Sequence, residues 1–264
     1  ASASVTTYGV PTVANAPTLS GAAKVGQLIT ATEPVGMFAG TPAPLVASRG
    51  WYACPTSRFA GASLADCDVI TGATSTAFTL TSAQLGKYVA YSATGQNVTG
   101  IVDAVSASTA IVASVPNAPF INSISLNGSG SAAFTITPGA ANFATISDVQ
   151  YELNASGTWV STGSTSSTFT ISALTNGAST PVRVRTVNSV GNSAASASAT
   201  VIPLAATTGG VAVRGDGQLA LSWSAVAGAT GYQVTYSTSL ASGYQLAAGA
   251  CAALSGTNCI LTGL

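Results

Sequence analysis

Four cysteines are the residues whose type and spacing most directly predict chemistry in this chain. They fall into two close pairs, Cys54 with Cys67 and Cys251 with Cys259. A structural zinc site would carry CxxC pairs or histidines, and the chain has neither. We therefore expect two local disulfides, with free buried thiols as the alternative. Disulfides persist in oxidising compartments, so this prediction places the chain outside the cell or in a periplasm.

Titratable side chains are too few and too scattered to predict a catalytic centre. The 264 residues include seven acidic residues, seven Lys or Arg and no His. Without His a Ser-His-Asp triad is excluded, and neither Lys24 nor Lys87 lies in a Ser-Lys motif. On one strand, Asp148 and Glu152 would be roughly 13 Å apart, which is too far for a glycosidase carboxylate pair. The sequence predicts a protein that is not an enzyme and has no cofactor.

Two other charged motifs have simple structural explanations. Asp66 and Asp68 flank Cys67, but Ca²⁺ takes six to eight oxygen ligands and no other acid is near in sequence. We expect solvated loop acids there and no metal site. Residues 214–216 spell the integrin tripeptide Arg-Gly-Asp, yet Asp-Gly at 216–217 is itself a strong hairpin signal. The turn is the favoured interpretation, and adhesion is the alternative.

The three tryptophans raise the question of carbohydrate binding, because sugars stack on flat aromatic rings. Trp51 and Trp223 lie in predicted strands and are expected in protein cores. Trp159 follows a turn, so we expect it to be the most exposed of the three. It is the candidate glycan contact.

The elements that must position these residues are β-strands. Alternating small apolar and hydroxyl residues recur between Gly, Asn and Ser turns, and nothing predicts a long amphipathic helix. No run of 18 apolar residues predicts a membrane span. A net charge of zero predicts no nucleic-acid partner and opposes self-association only weakly. The predicted fold class is all-β, with tandem β-sandwich domains.

The first predicted domain covers residues 16–114. Its motifs are Arg-Gly-Trp-Tyr-Ala-Cys at 49–54 and Leu-Gly-Lys-Tyr-Val-Ala at 85–90. They resemble the immunoglobulin-like repeats found in tandem on bacterial surface proteins. The resemblance implies that Trp51 is a core residue of strand C and that Tyr88 forms a tyrosine corner.

The second predicted domain covers residues 115–204. Residues 169–177 look like strand E and the following turn of a fibronectin type III domain. In that fold strands C and F are neighbours, so Glu152 would face Arg183 or Arg185 as a surface ion pair. A ligand clamp is the alternative role for the two arginines.

The third predicted domain covers residues 205–264. Residues 219–223 and 229–236 look like fibronectin type III strands B and C, and 259–264 aligns with 169–174. The resemblance implies that this domain is incomplete and lacks strands F and G.

Residues 1–15 form a predicted orphan strand and linker, with no domain of their own. An extended strand and an open sandwich suit donor-strand exchange, in which one chain completes the next. The alternative is that the chain is a window on a longer tandem array. The candidate donor residues are Ser2, Ser4, Val5, Tyr8 and Val10.

The predicted function is that of an extracellular or cell-surface structural protein. It would be a component of a stalk, filament or surface layer that associates with its own copies or with neighbouring repeats. The alternative is an adhesin, or the glycan-binding or spacer region of a larger secreted protein.

Overall fold

The computed structural model describes residues 7–237 and 243–263. Its regular structure is antiparallel β-sheet, with two short 3-10 helices at Ser82–Gln84 and Gly249–Cys251 in the described ranges. The all-β prediction is confirmed. No described helix is long and apolar enough to cross a membrane.

The chain divides into two compact units. Unit 1 contains Ala1–Asn117, Ala140–Ser147 and Thr186–Ala194. Unit 2 contains Ala118–Gly139, Asp148–Arg185 and Ala195–Leu264. The predicted domain limits near 115 and 205 remain predictions.

Nine strands of unit 1 form three sheets. The sheet orders are β1-β4, β2-β3-β7 and β6-β5-β8-β9. The strands are β1 (Gly9–Val13), β2 (Thr18–Ser20), β3 (Leu28–Thr32), β4 (Phe38–Thr41), β5 (Leu45–Cys54), β6 (Asp68–Val69), β7 (Ala77–Thr79), β8 (Tyr88–Asn97) and β9 (Gly100–Val105).

The core of unit 1 is centred on Trp51, which is fully buried. Its ring packs edge-on against Tyr91 at 5.1 Å between centroids, and its indole N–H donates to the Ser75 carbonyl at 2.7 Å. Trp51 and Tyr91 are direct cross-strand partners in β5 and β8, so both rings enter the core from the same side. The prediction that Trp51 is a core residue is confirmed.

A polar cluster borders this core. Arg49 donates from Nε and Nη2 to the two carboxylate oxygens of Glu33, each at 2.8 Å, and the Tyr91 hydroxyl donates to Glu33 Oε1. The Arg49 hydrogen bonds hold the pKa of Glu33 below its usual value, against the opposing effect of burial. Burial, followed by the Glu33 carboxylate, raises the pKa of Tyr91.

The predicted tyrosine corner is not formed. Tyr88 is half-buried and pairs with Cys54, and its hydroxyl makes no hydrogen bond to any described residue. The turn before β8 is closed by Gln84, whose Oε1 accepts from the Thr81 N–H at 3.0 Å and the Thr81 hydroxyl at 2.8 Å. A capping box therefore closes the turn before β8, where the resemblance implied a tyrosine corner at Tyr88.

The N-terminal strand has a partner in its own chain, which corrects the prediction of an orphan strand. β1 pairs with β4, with Val13 opposite Phe38. Asn97 Nδ2 and Thr99 Oγ1 each donate to the Gly9 carbonyl at 2.9 Å. The sequence pattern of β1 had predicted a strand correctly but could not identify its neighbour.

Strands β10 to β16, within residues 118–201, form two sheets. Their orders are β10-β11-β14 and β13-β12-β15-β16, and β12 and β15 carry residues of both units. Phe134, Phe169 and Tyr151 stack in the core, with ring centroids 5.4 and 6.1 Å apart. The strands are β10 (Phe120–Leu126), β11 (Ala132–Thr137), β12 (Ile146–Leu153), β13 (Val160–Ser161), β14 (Thr168–Ile171), β15 (Thr180–Asn188) and β16 (Ala199–Val201).

The rest of unit 2 has a three-stranded sheet, β17-β18-β21, and a two-stranded sheet, β19-β20. The predicted strand over 229–236 is shorter than expected: Tyr232 forms an isolated bridge and only β19 is regular. Trp223 is half-buried, with its ring 5.4 Å from that of Tyr232. The strands are β17 (Val211–Gly215), β18 (Gln218–Ser222), β19 (Thr235–Tyr236), β20 (Gln245–Leu246) and β21 (Asn258–Thr262).

Both predicted disulfides are confirmed. Cys54 bonds to Cys67 and Cys251 bonds to Cys259, and the structure contains no free cysteine among its described residues. The first closes the loop between β5 and β6. The second joins the Gly249–Cys251 helix to β21.

Removal of either disulfide should destabilise the protein, and the effect should be slightly larger for the longer loop. Replacing Cys54 and Cys67 by Ala should lower the free energy of unfolding by about 3 kcal/mol, and replacing Cys251 and Cys259 by about 2.5 kcal/mol, because each bridge restricts the unfolded chain. Urea unfolding of the two double variants measures both effects. Equal stability of the wild type with and without reductant would contradict the expectation.

Candidate binding surface around Trp159

The side chains around Trp159 are positioned by alternation along β12 and β15. Val182 and Val184 are fully buried, so Arg183 and Arg185 point to the opposite side of β15. On β12, Gln150 and Glu152 occupy the corresponding side. The sequence prediction that Glu152 faces an arginine of the neighbouring strand is confirmed, since Arg183 pairs with it.

The Glu152 ion pair is not the exposed surface pair that was predicted. Glu152 is only 1% exposed, because the turn after β12 and the Arg183 side chain cover it. Arg183 Nε donates to Oε2 at 2.9 Å, and the Gly157 N–H donates to Oε1. Burial acts to raise the pKa of this carboxyl, but the Gly157 and Arg183 hydrogen bonds outweigh it, so the pKa lies below its ordinary value.

Trp159 is half-buried rather than fully exposed, because Arg185 covers part of it. The guanidinium carbon of Arg185 lies 4.3 Å from the centre of the Trp159 ring system. This is a cation–π contact, which favours a flat guanidinium over an indole face. Sequence reasoning identified both residues but not the contact, which depends on Val160 pairing opposite Tyr151.

Hydrogen bonds extend from this contact across the sheet. Arg185 Nε donates to Gln150 Oε1 at 2.8 Å, and Gln150 Nε2 donates to Asp148 Oδ2 at 3.0 Å. Asp148 Oδ1 accepts from the Ser161 hydroxyl at 2.9 Å. An unbroken series of side-chain contacts therefore links Ser161 to Trp159.

The arrangement is suited to binding rather than to proton transfer. In the described part of the chain Arg185 forms no ion pair, and its charge acts only through space on the Glu152 carboxylate, which pairs with Arg183. An arginine held over an aromatic ring is preorganised to donate hydrogen bonds to a carboxylate or a hydroxyl. The half-buried Trp159 side chain adds an apolar surface beside it.

The other predicted site residues are dispersed. Asp66 and Asp68 are exposed, as expected, and Asp66 also forms an ion pair with Arg58. Within the described ranges, no group of three His, Cys, Asp or Glu side chains could hold a metal. Asp216 and Gly217 form the turn between β17 and β18, as the turn interpretation predicts. Tyr8 and Val10 are exposed, and the candidate donor residues Ser2, Ser4 and Val5 lie outside the described residues.

The sequence matches no protein-family model and no curated protein. Among solved structures, it is similar to titin domains A168-A170, with 19% identity, a TM-score of 0.40 and coverage of 74% of this chain and 66% of that chain. It is also similar to the FN1-FN3 domains of chicken CNTN1, with 14% identity, a TM-score of 0.34 and coverage of 97% and 88%. This chain thus spans slightly less than two thirds of the titin structure.

Acid should weaken the fold through Glu152. A carboxyl with a lowered pKa in the folded state stabilises the protein above its unfolded pKa, and this contribution disappears as the pH falls through the folded pKa. Glu152→Gln should therefore reduce stability at pH 7 and flatten the loss of stability below pH 4.5, the ordinary pKa of the group. Thermal unfolding between pH 2 and 7 measures this.

The matched control is Asp216→Asn, which removes an exposed turn carboxylate that forms no ion pair in the described structure. Its pH profile should follow that of the wild type. A Glu152→Gln profile identical to the wild type would show that the buried pair does not contribute.

Proposed function

We propose that this chain is an extracellular structural protein, a rigid segment of a stalk, filament or surface layer. The observation that carries the proposal is that specific hydrogen bonds hold residues 114–117 in place. This is the stretch predicted to link the first two domains. Unit 1 contains this stretch together with the segments 140–147 and 186–194. A flexible spacer would leave such a stretch free of specific contacts.

Asn188 is the main anchor of this stretch. It is 4% exposed, and its Nδ2 donates to the carbonyls of Ser114 at 2.8 Å and Ala141 at 3.0 Å. Its Oδ1 accepts from the N–H groups of Val190 and Gly191. One buried side chain therefore satisfies backbone groups in all three segments, so their positions depend on each other.

Asn142 forms a second anchor. Its Nδ2 donates to the Val115 carbonyl at 2.7 Å, and its own carbonyl accepts from the Ser114 N–H at 3.0 Å. The next residue, Phe143, lies over Gly86, where an added Cβ would come within 2.4 Å of the ring. Only glycine allows so close an approach, and Gly86 also has a φ of +77°.

The extracellular location is supported by the cysteines. All four are paired in short-range disulfides, which are typical of proteins that fold in oxidising compartments. The neutral, sparsely charged surface suits a protein that packs against similar surfaces.

Donor-strand exchange is the less favoured assembly route. Gly9–Val13 already pairs with β4, and Asn97 and Thr99 bind the Gly9 carbonyl. A donor strand that included Val10 would have to break these contacts first.

A glycan-binding role is the second candidate function, and the Trp159–Arg185 contact favours it. An indole beside an arginine that forms no ion pair within the described residues suits a sugar that carries a carboxylate. The neighbouring Gln150 and Ser161 side chains add polar groups on the same surface. This candidate describes a binding or spacer region rather than a purely mechanical one.

Hydrogen exchange tests the structural proposal. In the wild type, the amides of Ser114 and Asn117 should be strongly protected, because they donate to Asn142 and Ala140. Asn188→Ala should accelerate their exchange about tenfold or more, since buried carbonyls lose their donor. NMR exchange measurements on both proteins give the two rates.

The control is Asn122→Ala, which truncates an exposed asparagine of β10 and should leave the Ser114 and Asn117 rates unchanged. Exchange of these two amides at the rate of an unfolded peptide in the wild type would refute a rigid segment.

Polysaccharide binding tests the second candidate. Trp159→Ala should weaken retention on alginate, a polyuronate, at least about fivefold, while neutral dextran is bound weakly by both proteins. Tyr244→Ala, which removes another exposed aromatic side chain, is the control. Equal retention of the wild type and Trp159→Ala on alginate would rule out this site.

A further inference from the structure

Two outward sheet faces carry apolar side chains where polar ones are expected. In an antiparallel sheet with one side in the core, the other side faces water and normally presents polar residues. Single exposed apolar side chains are ordinary, but several on one sheet face form a patch. Among the described residues, the strand register shows one such patch in each unit, with an exposed aliphatic side chain on either side of an uncharged middle-strand residue.

The first patch lies across β5, β8 and β9, and we name it the Leu45 face. Leu45 pairs with Gln96, which pairs with Ile101, so the three side chains stand side by side. Leu45 is 78% exposed and Ile101 is 66% exposed. Val98, at the tip of the β8–β9 hairpin, is also exposed and lines a cavity with Leu45.

The Leu45 face is free of charge. No charged residue occurs between Glu33 and Arg49 or between Lys87 and Asp103, the two stretches that build it. Asp103 marks its boundary on β9. An uncharged apolar face disfavours a charged partner, since that partner would lose hydration without gaining an ion pair.

The second patch lies across β17, β18 and β21, and we name it the Val213 face. Val213 pairs with Ala220, which pairs with Ile260, again as a direct cross-strand row. Val213 is 60% exposed and Ile260 is 49% exposed, and Val211 extends the row along β17. In residues 205–264 the only charges are Arg214 and Asp216, both at one hairpin end.

We propose that the Leu45 face of one copy packs against the Val213 face of a second copy. The two faces match in chemistry, because in each row an uncharged residue of the middle strand, Gln96 or Ala220, lies between two exposed branched aliphatic side chains. They also match in form, since two sheets pack face to face through such rows. A chain with no net charge does not repel its own copies.

This contact uses different surfaces on the two copies, so it is heterologous and can propagate. A contact between unlike surfaces gives a ring or an open filament, whereas one between like surfaces stops at a dimer. The inference rests on the proposed structural role, for which it names the partner and the surfaces. Its test is separate from the hydrogen-exchange test of the fixed stretch at 114–117.

Charged substitutions on each face provide the experiment. Leu45→Lys and Val213→Lys should each weaken self-association of the full chain at least tenfold, because a lysine in an apolar contact must be displaced or desolvated. Sedimentation velocity over a concentration series measures the masses. The wild type should form species larger than a dimer, and each variant alone should stay near the 25.7 kDa of one chain.

Mixing the two variants gives the decisive measurement. Each retains one intact face, so an equimolar mixture should form a one-to-one pair and grow no further. Val69→Lys and Leu126→Lys, at exposed apolar positions outside both faces, should assemble like the wild type. Unchanged melting temperatures would show that all four variants fold.

Three outcomes would overturn the inference. A wild type that stays monomeric at all concentrations removes the contact altogether. Loss of assembly in one variant but not the other, with no pairing in the mixture, would indicate a symmetric dimer through a single face. Assembly of both variants at wild-type strength would place the contact elsewhere on the molecule.

Discussion

The two-residue alternation of side chains along paired strands is the constraint on which the rest of this structure depends. It sends Trp51 and Tyr91 into the core of unit 1 and Val182 and Val184 into that of unit 2. The same alternation brings Arg185 to the outer side with Trp159. A shift of one residue in register would exchange core and surface along a whole strand. The buried side chains therefore fix the position of every candidate binding group.

In this chain, uncharged amide side chains bind main-chain groups that charged side chains often bind in other proteins. With only 14 charged residues in the chain, few backbone groups can be satisfied by ions. Asn188, Asn142 and Gln84 instead bind main-chain groups at loops and turns. Each such bond is neutral, so it is less sensitive to salt than an ion pair would be. Amide side chains therefore connect main-chain groups at several turns and loops of this molecule.

The sequence predicted features that depend on local pattern. Both disulfides and the turn at 216–217 follow from residue spacing. Core placement of Trp51 and the Glu152–Arg183 pairing follow from strand patterns together with the resemblance to known sandwich domains. Burial of Glu152 was missed because it depends on a turn folding back over the strand. The partner of β1 and the roles of Asn142 and Asn188 were missed for a related reason. Each of these contacts joins segments that are far apart in sequence, and neither composition nor local pattern predicts which distant segments will be neighbours.

The hydrogen bonds that hold the N-terminal strand β1 have a consequence for how the protein is produced. Asn97 begins an Asn-Val-Thr triplet, the acceptor sequence for N-linked glycosylation. Its amide donates one hydrogen to the Gly9 carbonyl and the other to the Pro42 carbonyl, at 2.9 and 3.1 Å. A sugar attached to that nitrogen replaces one hydrogen, so only one carbonyl can keep its donor. In protein secreted by a host that glycosylates Asn97, β1 would be held less firmly than in protein from a host without N-linked glycosylation.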